Sequence, residues 1–429
     1  MPLPRLPTEL WRQIFSLIIR KPGVLLADRV DPFSELRERD MYWSQKLPTR
    51  STLLLVCKEW HAIVIELVHE YLHLAYPRQV AVLASRLERS KTDDGQRALG
   101  SLTRRIDVRM HNPTPRDFRN ISRVLRCTPN LEIYVNANLH MTFTSTIQAL
   151  HPVTQTSSEI VEALMNTCAR SLRRVEWSCN ESPSWDDLMD LLRGLRGLQS
   201  LTLANIHGSF PERPRTEHLI LPSLKTFILG DSPSFSHASL GNVPLNTLLK
   251  MLSESSDQLP CLQRLEGFSP FSPDFLRTHG HKIRIVQTVA YTPLLPEIIA
   301  KCPNLETFIT IFPHQQLDLL SHTSLKHIGI FPISEDRGGV PPQLYNAYIM
   351  KPLDDLMNQI EDSYLPNLVQ IRIKNIGTLA GVVGFPIFVQ KWWAHWNARG
   401  VRFDDKDGKS FQMSISGASD STALHDRAI

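Results

Sequence analysis

One motif recurs along this chain: Leu-x-x-apolar-x-apolar. It stands at Leu172 (LRRVEW), Leu198 (LQSLTL), Leu224 (LKTFIL), Leu305 (LETFIT), Leu325 (LKHIGI) and Leu368 (LVQIRI), and in looser form at Leu131, Leu262 and Ile283. The anchors are 41, 26, 26, 38, 21, 22, 20 and 43 residues apart. After each anchor, apolar residues alternate with others, which is the period of a short β-strand whose successive side chains point to opposite faces. A strand of that length cannot bury its apolar face alone, so tandem copies are expected to stack.

Helix-like segments precede most of these strands: Glu159–Cys168, Trp185–Leu195, Asn246–Leu252, Pro296–Cys302 and Asp354–Ile360. In the second, Leu188, Leu191, Leu192 and Leu195 recur at helical spacing. CTPNLE (127–132) and CPNLE (302–306) are near copies, and Asn205, Asp231 and Asn375 each follow a strand by two residues, as turn residues do. Five of the eight spacings fall in the 20–29 range of leucine-rich repeats; each long one has room for an insertion or a degenerate repeat. The expected fold is α/β, a leucine-rich-repeat-like solenoid of parallel strands backed by helices over 76–412, after a small all-α module over 1–75 and before a disordered tail over 413–429. A doubly wound α/β enzyme fits less well. Neither GxGxxG nor GxxxxGK occurs, and polar residues such as Thr202 and Arg372 interrupt the strands. The alternation predicts an open sheet face carrying Glu176, Thr202, Ile228, Ile309, Gly329 and Arg372, and on geometry alone this is the candidate target-binding surface.

Composition excludes other classes. A net charge of +4 over 429 residues gives no whole-chain case for nucleic acid or membrane binding. The six cysteines form no CxxC pair, so neither a zinc site nor a disulfide framework is expected, and no cofactor is implied. The start, MPLPRLPTEL, lacks the features of a signal peptide, and the longest nearly apolar run, 379–389, is about half of what a bilayer requires. The expectation is a soluble, intracellular protein. The sequons at Asn120 and Asn180 then read as chance matches.

The N-terminal zone carries more apolar surface than it can bury by itself. In LPTELWRQIFSLII, Leu10, Ile14 and Leu17 share one helical face, and Trp11, Phe15 and Ile18 the adjacent one. From Leu53 a second helix repeats the problem, with Val56, Trp60, Ile63, Val64 and Leu67 in one stripe and Leu54 and Cys57 in another. LPTELWRQIF followed by LLLVCKEWHAIV resembles an F-box, whose usual form is LPxEL…IF…LxxVCKxW. The insertion at 21–49 between the halves is similar to that of a large group of fungal F-box-like proteins with irregular leucine-rich repeats. HEYLHLAYPRQVAVLASRLERS, FLRTHGHKI and WNARGVRFDDKDG are also similar to phrases found there. The resemblance implies a noncatalytic substrate-recognition subunit of a Skp1–cullin–F-box ubiquitin ligase, acting in cytoplasm or nucleus. Its adaptor-facing residues would be Leu6, Pro7, Leu10, Ile14, Phe15, Leu54, Val56, Cys57 and Trp60. Its partners would be a Skp1-type adaptor, through it a cullin, and a protein target held by the repeats. The alternative is a repeat scaffold whose N-terminal helices only cap the array.

Three further signals compete. HEYLH (69–73) matches the HExxH motif of zinc hydrolases, but Leu72, Leu74 and Tyr76 alternate as in a strand, and no third ligand motif follows. Seven arginines lie within 104–126; a solvated helix and strand face is preferred to an RNA or acidic-partner patch, because only Phe118 offers an aromatic nearby. Trp392, Trp393 and Trp396 read as the cap closing the last repeat.

Overall fold

The computed structural model describes residues 6–20, 23–28, 33, 52–92, 98–138, 154–178, 181–208, 219–230, 243–267, 272–289, 295–312, 321–332, 350–373, 385–405 and 408–410. The predicted tail over 413–429, most of the insertion, Asp231 and Asn375 lie outside them. The strands are β1 (Tyr71–Leu74), β2 (Arg105–Val108), β3 (Ile133–Asn136), β4 (Thr154–Gln155), β5 (Arg174–Trp177), β6 (Glu181–Ser182), β7 (Ser200–Leu203), β8 (Thr226–Leu229), β9 (Arg264–Gly267), β10 (Ile285–Val289), β11 (Thr307–Phe312), β12 (His327–Pro332), β13 (Gln370–Ile373) and β14 (Arg402–Asp404). Twelve of them form one sheet in sequential order, with β4 and β6 paired separately. Every pair in the sheet is parallel. The chain is therefore an α/β protein that advances one strand at a time, a solenoid-like arrangement.

Each of the nine predicted anchors stands two residues before a strand. Leu131, Leu172, Leu198, Leu224, Leu262, Ile283, Leu305 and Leu325 are buried, and Leu368 packs against the same core. Because β3 pairs directly with β5, β8 with β9 and β12 with β13, the three long spacings hold insertions and not hidden repeat strands.

Register fixes which side chains share a face. The second residue of each strand forms one row: Leu72, Ile106, Tyr134, Val175, Leu201, Phe227, Leu265, Val286, Phe308, Ile328, Ile371 and Phe403. This row belongs to the main core, together with the helices. The helices begin with α1 (Thr8–Ile19) and α2 (Lys58–His69), and continue with α3 (Pro77–Thr92), α4 (Pro115–Arg126), α5 (Ser158–Ala163), α6 (Trp185–Gly194), α7 (Val243–Met251), α8 (Pro273–His279), α9 (Leu295–Lys301), α10 (Lys351–Asp362) and α11 (Phe385–Ala398). Burying each large apolar side chain contributes about 1.5–3 kcal/mol. Trp392 and Trp396 of α11 stack in the core at 6.2 Å, and the Trp392 indole N–H donates to Asp354 at 2.6 Å, so this end of the array is closed by aromatic rings.

The Pro-Asn-Leu turns staple neighbouring repeats. The side-chain amides of Asn130, Asn304 and Asn367 donate to the carbonyls of Ser101, His281 and Thr323, each one repeat back, at 2.7, 2.7 and 2.6 Å. Close approach demands glycine at Gly280, where a Cβ would run into the Lys301 carbonyl. His279 Nε2 donates to the Leu252 carbonyl at 2.7 Å, satisfying the end of α7. Burial lowers the pKa of this ring to about 4, and nearby Lys282 opposes protonation further.

These contacts give two stability predictions. Asn304→Ala should cost about 1 kcal/mol and Gly280→Ala about 1–3 kcal/mol, measured by denaturant unfolding. The unfolded chain binds a proton on His279 more readily than the folded one. The stabilisation is therefore complete above the ordinary value of 6.5 and is lost as pH falls toward about 4. His279→Gln should accordingly show a shallower fall in Tm between pH 7 and pH 5 than the wild type.

Candidate functional site

Two surfaces carry the predicted functional residues. The first is the outer face of the α1–α2 pair. Phe15 and Ile19 pack with Ile63, Val64 and Leu67, and Trp11, Phe15 and Trp60 form a ring cluster with centroids 4.8–5.4 Å apart. Arg12 pairs with Glu66 and Arg20 with Glu70, fixing how the helices cross. Cys57 caps α2, its sulfur accepting the Trp60 N–H at 3.5 Å. A helical turn over 52–56 precedes it, and the Leu54 carbonyl lies 3.0 Å from the His61 ring.

Large apolar side chains remain uncovered on this pair. Leu6, Leu10, Ile14, Leu17 and Ile18 on or beside α1, and Leu55 and Val56 on the neighbouring turn, are all exposed, Leu17 at 80% and Leu55 at 83%. Of the nine residues named from the sequence, Leu6, Pro7, Leu10, Ile14, Val56 and Cys57 are exposed, while Leu54 and Trp60 are half-buried. Phe15 is a correction: at 1% exposure it is an inward core residue, because its ring fills the space between Trp11 and Trp60. Leu17, Ile18 and Leu55 were not among the nine. The helical stripe Leu10–Ile14–Leu17 pointed to the first of these.

The second surface is the sheet face away from the helices, and here the expectation of an open face fails. Glu176, Thr202 and Ile309 are 3%, 4% and 0% exposed, Gly329 is buried, and Ile228 and Arg372 are half-buried. Two features close it. One is a set of ion pairs between the first and third residues of a strand: Arg105–Asp107 at 2.7 Å, Arg174–Glu176 at 2.6 Å, and Arg264–Glu266, all buried, with Arg402–Asp404 at the end strand. The Tyr71 hydroxyl donates to Asp107 at 2.6 Å, and the Gln370 amide donates to Asp404. Burial opposes both charges of the Arg105–Asp107 pair. Their mutual attraction overcomes it, holding the guanidinium pKa above its usual value and the carboxyl below.

The other feature is the chain leaving α1. The Val24 carbonyl accepts from Arg105 at 2.8 Å, Asp28 accepts from the Thr226 hydroxyl at 2.8 Å, and Phe33 packs with Ile309 and Phe331. These contacts fall on β2, β8 and β11–β12, so the described residues 23–28 and Phe33 lie against this face as a strap. Phe33 lies on the bare backbone of Gly329, where a Cβ would stand 2.6 Å from the ring, and the Arg372 guanidinium stacks 4.4 Å from the ring centroid. The sequence did carry a sign of the ion pairs, an Arg-x-acidic triplet at a fixed place in β2, β5, β9 and β14. Nothing in the sequence marked the strap.

The rival signals resolve by position. α2 ends at His69, whose buried ring is 2.8 Å from the Ile65 carbonyl, while His73 is an exposed strand residue. The two histidines of HEYLH therefore do not share one helical turn, and helix gives way to strand here as the alternation of Leu72, Leu74 and Tyr76 predicts, against the zinc-hydrolase alternative. Among the described residues, no group of three or more His, Cys, Asp or Glu is placed to hold a metal ion. The arginine-rich segment is dispersed. Arg104 pairs with Glu132, Arg105 with Asp107 and Arg123 with Glu88, leaving Arg116, Arg119 and Arg126 exposed on α4. Among the described residues, no helix is long and apolar enough to cross a membrane. No protein-family model matches the chain, and no curated protein matches it.

Truncating one partner of a buried pair leaves the other charge uncompensated. Arg174→Ala should destabilise the fold by about 3–5 kcal/mol, whereas the double replacement Arg174→Met with Glu176→Leu should be close to neutral. Comparing the two unfolding curves checks this.

Proposed function

We propose that this chain is the substrate-recognition subunit of a Skp1–cullin–F-box ubiquitin ligase, with a leucine-rich-repeat solenoid as its target-bearing part, working in cytoplasm or nucleus. The observation that carries the reading is the uncovered apolar face of the α1–α2 pair. The inner sides of these helices are already satisfied by Phe15, Trp60 and Val64, yet Leu10, Ile14, Leu17, Leu55 and Val56 face solvent. Large exposed apolar side chains gathered on one helix pair suit a partner surface. The resemblance of LPTELWRQIF and LLLVCKEWHAIV to the F-box supplies one: a Skp1-type adaptor. In this role the chain performs no chemistry. It holds a target while another subunit transfers ubiquitin.

Pro7 stands at the N-cap of α1 and Cys57 at the N-cap of α2, so the two signature segments fix where both helices begin. Trp60 is a poor probe of docking, because its ring supports Phe15 and its loss would loosen the pair. The triple variant Leu10→Ala, Ile14→Ala, Val56→Ala removes only exposed side chains. It should weaken binding to a purified Skp1-type adaptor by about a hundredfold or more while the melting transition of the solenoid is unchanged. Titration calorimetry reads the affinity. Absence of binding by the wild type would overturn the ligase reading in favour of a repeat scaffold.

A further inference from the structure

We infer that the outer face shared by α3 and α4 is a docking surface for an acidic peptide segment of a protein partner, one that carries an apolar side chain among its carboxylates. The inference goes beyond the proposed function and does not depend on it, since neither helix belongs to the α1–α2 pair.

In sequence alone, the arginines of 104–126 suit a solvated face. The structure lays a second basic helix beside them. Glu88 accepts from Arg123 at 2.5 Å, and the Lys91 ammonium donates to the Arg126 carbonyl at 2.6 Å. Both contacts join residues 35 apart in the chain, so α3 and α4 run parallel in one register. That register sets Val82 level with Asp117, and Arg116 and Arg119 beside the stretch from Arg78 to Arg86. Arg78, Val82 and Arg86 recur at helical spacing and share one stripe. These three, with Arg116 and Arg119, are all exposed, Val82 at 68%. Each helix contains a single carboxylate, and both are engaged. Glu88 holds Arg123, and buried Asp117 accepts from the Thr114 hydroxyl at 2.7 Å. Among the described residues, no ion pair uses Arg78, Arg86, Arg116 or Arg119.

Local stability does not account for these cations. Arg78 and Arg116 are the second residues of their helices, where the helix dipole disfavours positive charge, and Arg116 and Arg119 are like charges three residues apart. An anionic partner gives them a use, and three features select it. Guanidinium forks pair bidentately with carboxylates. Val82, set among the arginines, offers an apolar contact that a sugar–phosphate backbone leaves unused. The exposed charge then reverses along the array, because α5 and α6 present Glu162, Asp186 and Asp190. A long polyanion following the helices would be repelled there, whereas a short segment would not. The axial distance from Arg78 to Arg86 is about 12 Å, the reach of about four extended residues.

The test uses the full chain and a labelled peptide, Glu-Glu-Glu-Leu-Glu-Glu-Glu with blocked ends, read by fluorescence anisotropy at low salt. The triple variant Arg78→Ala, Arg116→Ala, Arg119→Ala should bind it at least about tenfold more weakly than the wild type, with no fall in Tm, because first-turn cations oppose the dipole. Serine in place of the peptide's leucine should weaken binding to the wild type at least about threefold. Asp93 and Asp94 follow α3 in sequence, outside the described residues, and Asp93→Asn with Asp94→Asn should bind at least as tightly as the wild type. Equal affinity of the triple variant and the wild type, or no binding by the wild type at millimolar peptide, would overturn the inference. Tighter binding of an oligouridylate of equal charge would overturn it in favour of nucleic acid. Should the triple variant fail to fold, the wild type answers, because equal affinity for the leucine and serine peptides also overturns the inference. No adaptor is present in these assays, so failure here leaves the adaptor-binding result standing, and the converse.

Discussion

A parallel sheet has two faces, and in this chain the helices cover one of them. Parallel sheets are found almost only with both faces covered. In this protein twelve strands stack in sequential order, and the row of second residues from Leu72 to Phe403 enters the helical core. The alternate rows, which begin at Tyr71 and His73, face the other way. Their side chains have to be satisfied by each other or by another segment of chain. Both solutions occur. Arginine and carboxylate two residues apart on one strand neutralise each other in β2, β5 and β9, and Val24, Asp28 and Phe33 lie over the sheet.

Each ion pair lies within one strand, and Tyr71 of β1 and Gln370 of β13 extend the network by bonding to Asp107 and Asp404 on the neighbouring strands. Repeats are also joined by the core, the backbone ladder and the asparagine staples at 130, 304 and 367. On the second face, Val24, Asp28 and Phe33 lie against β2, β8 and β11–β12. At the far end of the strap, the α1–α2 pair buries its aromatic cluster inward and leaves its aliphatic residues outside.

Much of the framework was legible because leucine marks a fixed place. All nine anchors precede strands, and the five predicted helix segments coincide with α5 and the turn after it, α6, α7, α9 and α10. β1, β2 and β14 did not show the pattern for a definite reason. The residues two before them are His69, Thr103 and Gly400, not leucine, although Leu72, Ile106 and Phe403 fill the core row as in every other strand. The candidate surfaces were less legible. Strand alternation assigned Glu176, Thr202, Ile309 and Gly329 to the correct face, but periodicity carries no information on what lies above a face. Phe15 was placed outward by the family resemblance, while the helical pattern had put it on a face apart from Leu10, Ile14 and Leu17.

The central claim is that the second sheet face is closed in the free chain, and thiol reactivity measures this most directly. A cysteine placed at Thr202, at the middle of the face, is compared within the same molecule with exposed Cys261, each followed by the mass of its peptide after maleimide treatment. A closed face predicts that residue 202 is labelled at least about a hundredfold more slowly than Cys261, at a rate set by opening of the structure. Labelling of both at the same rate, in a chain that remains folded, would contradict the account.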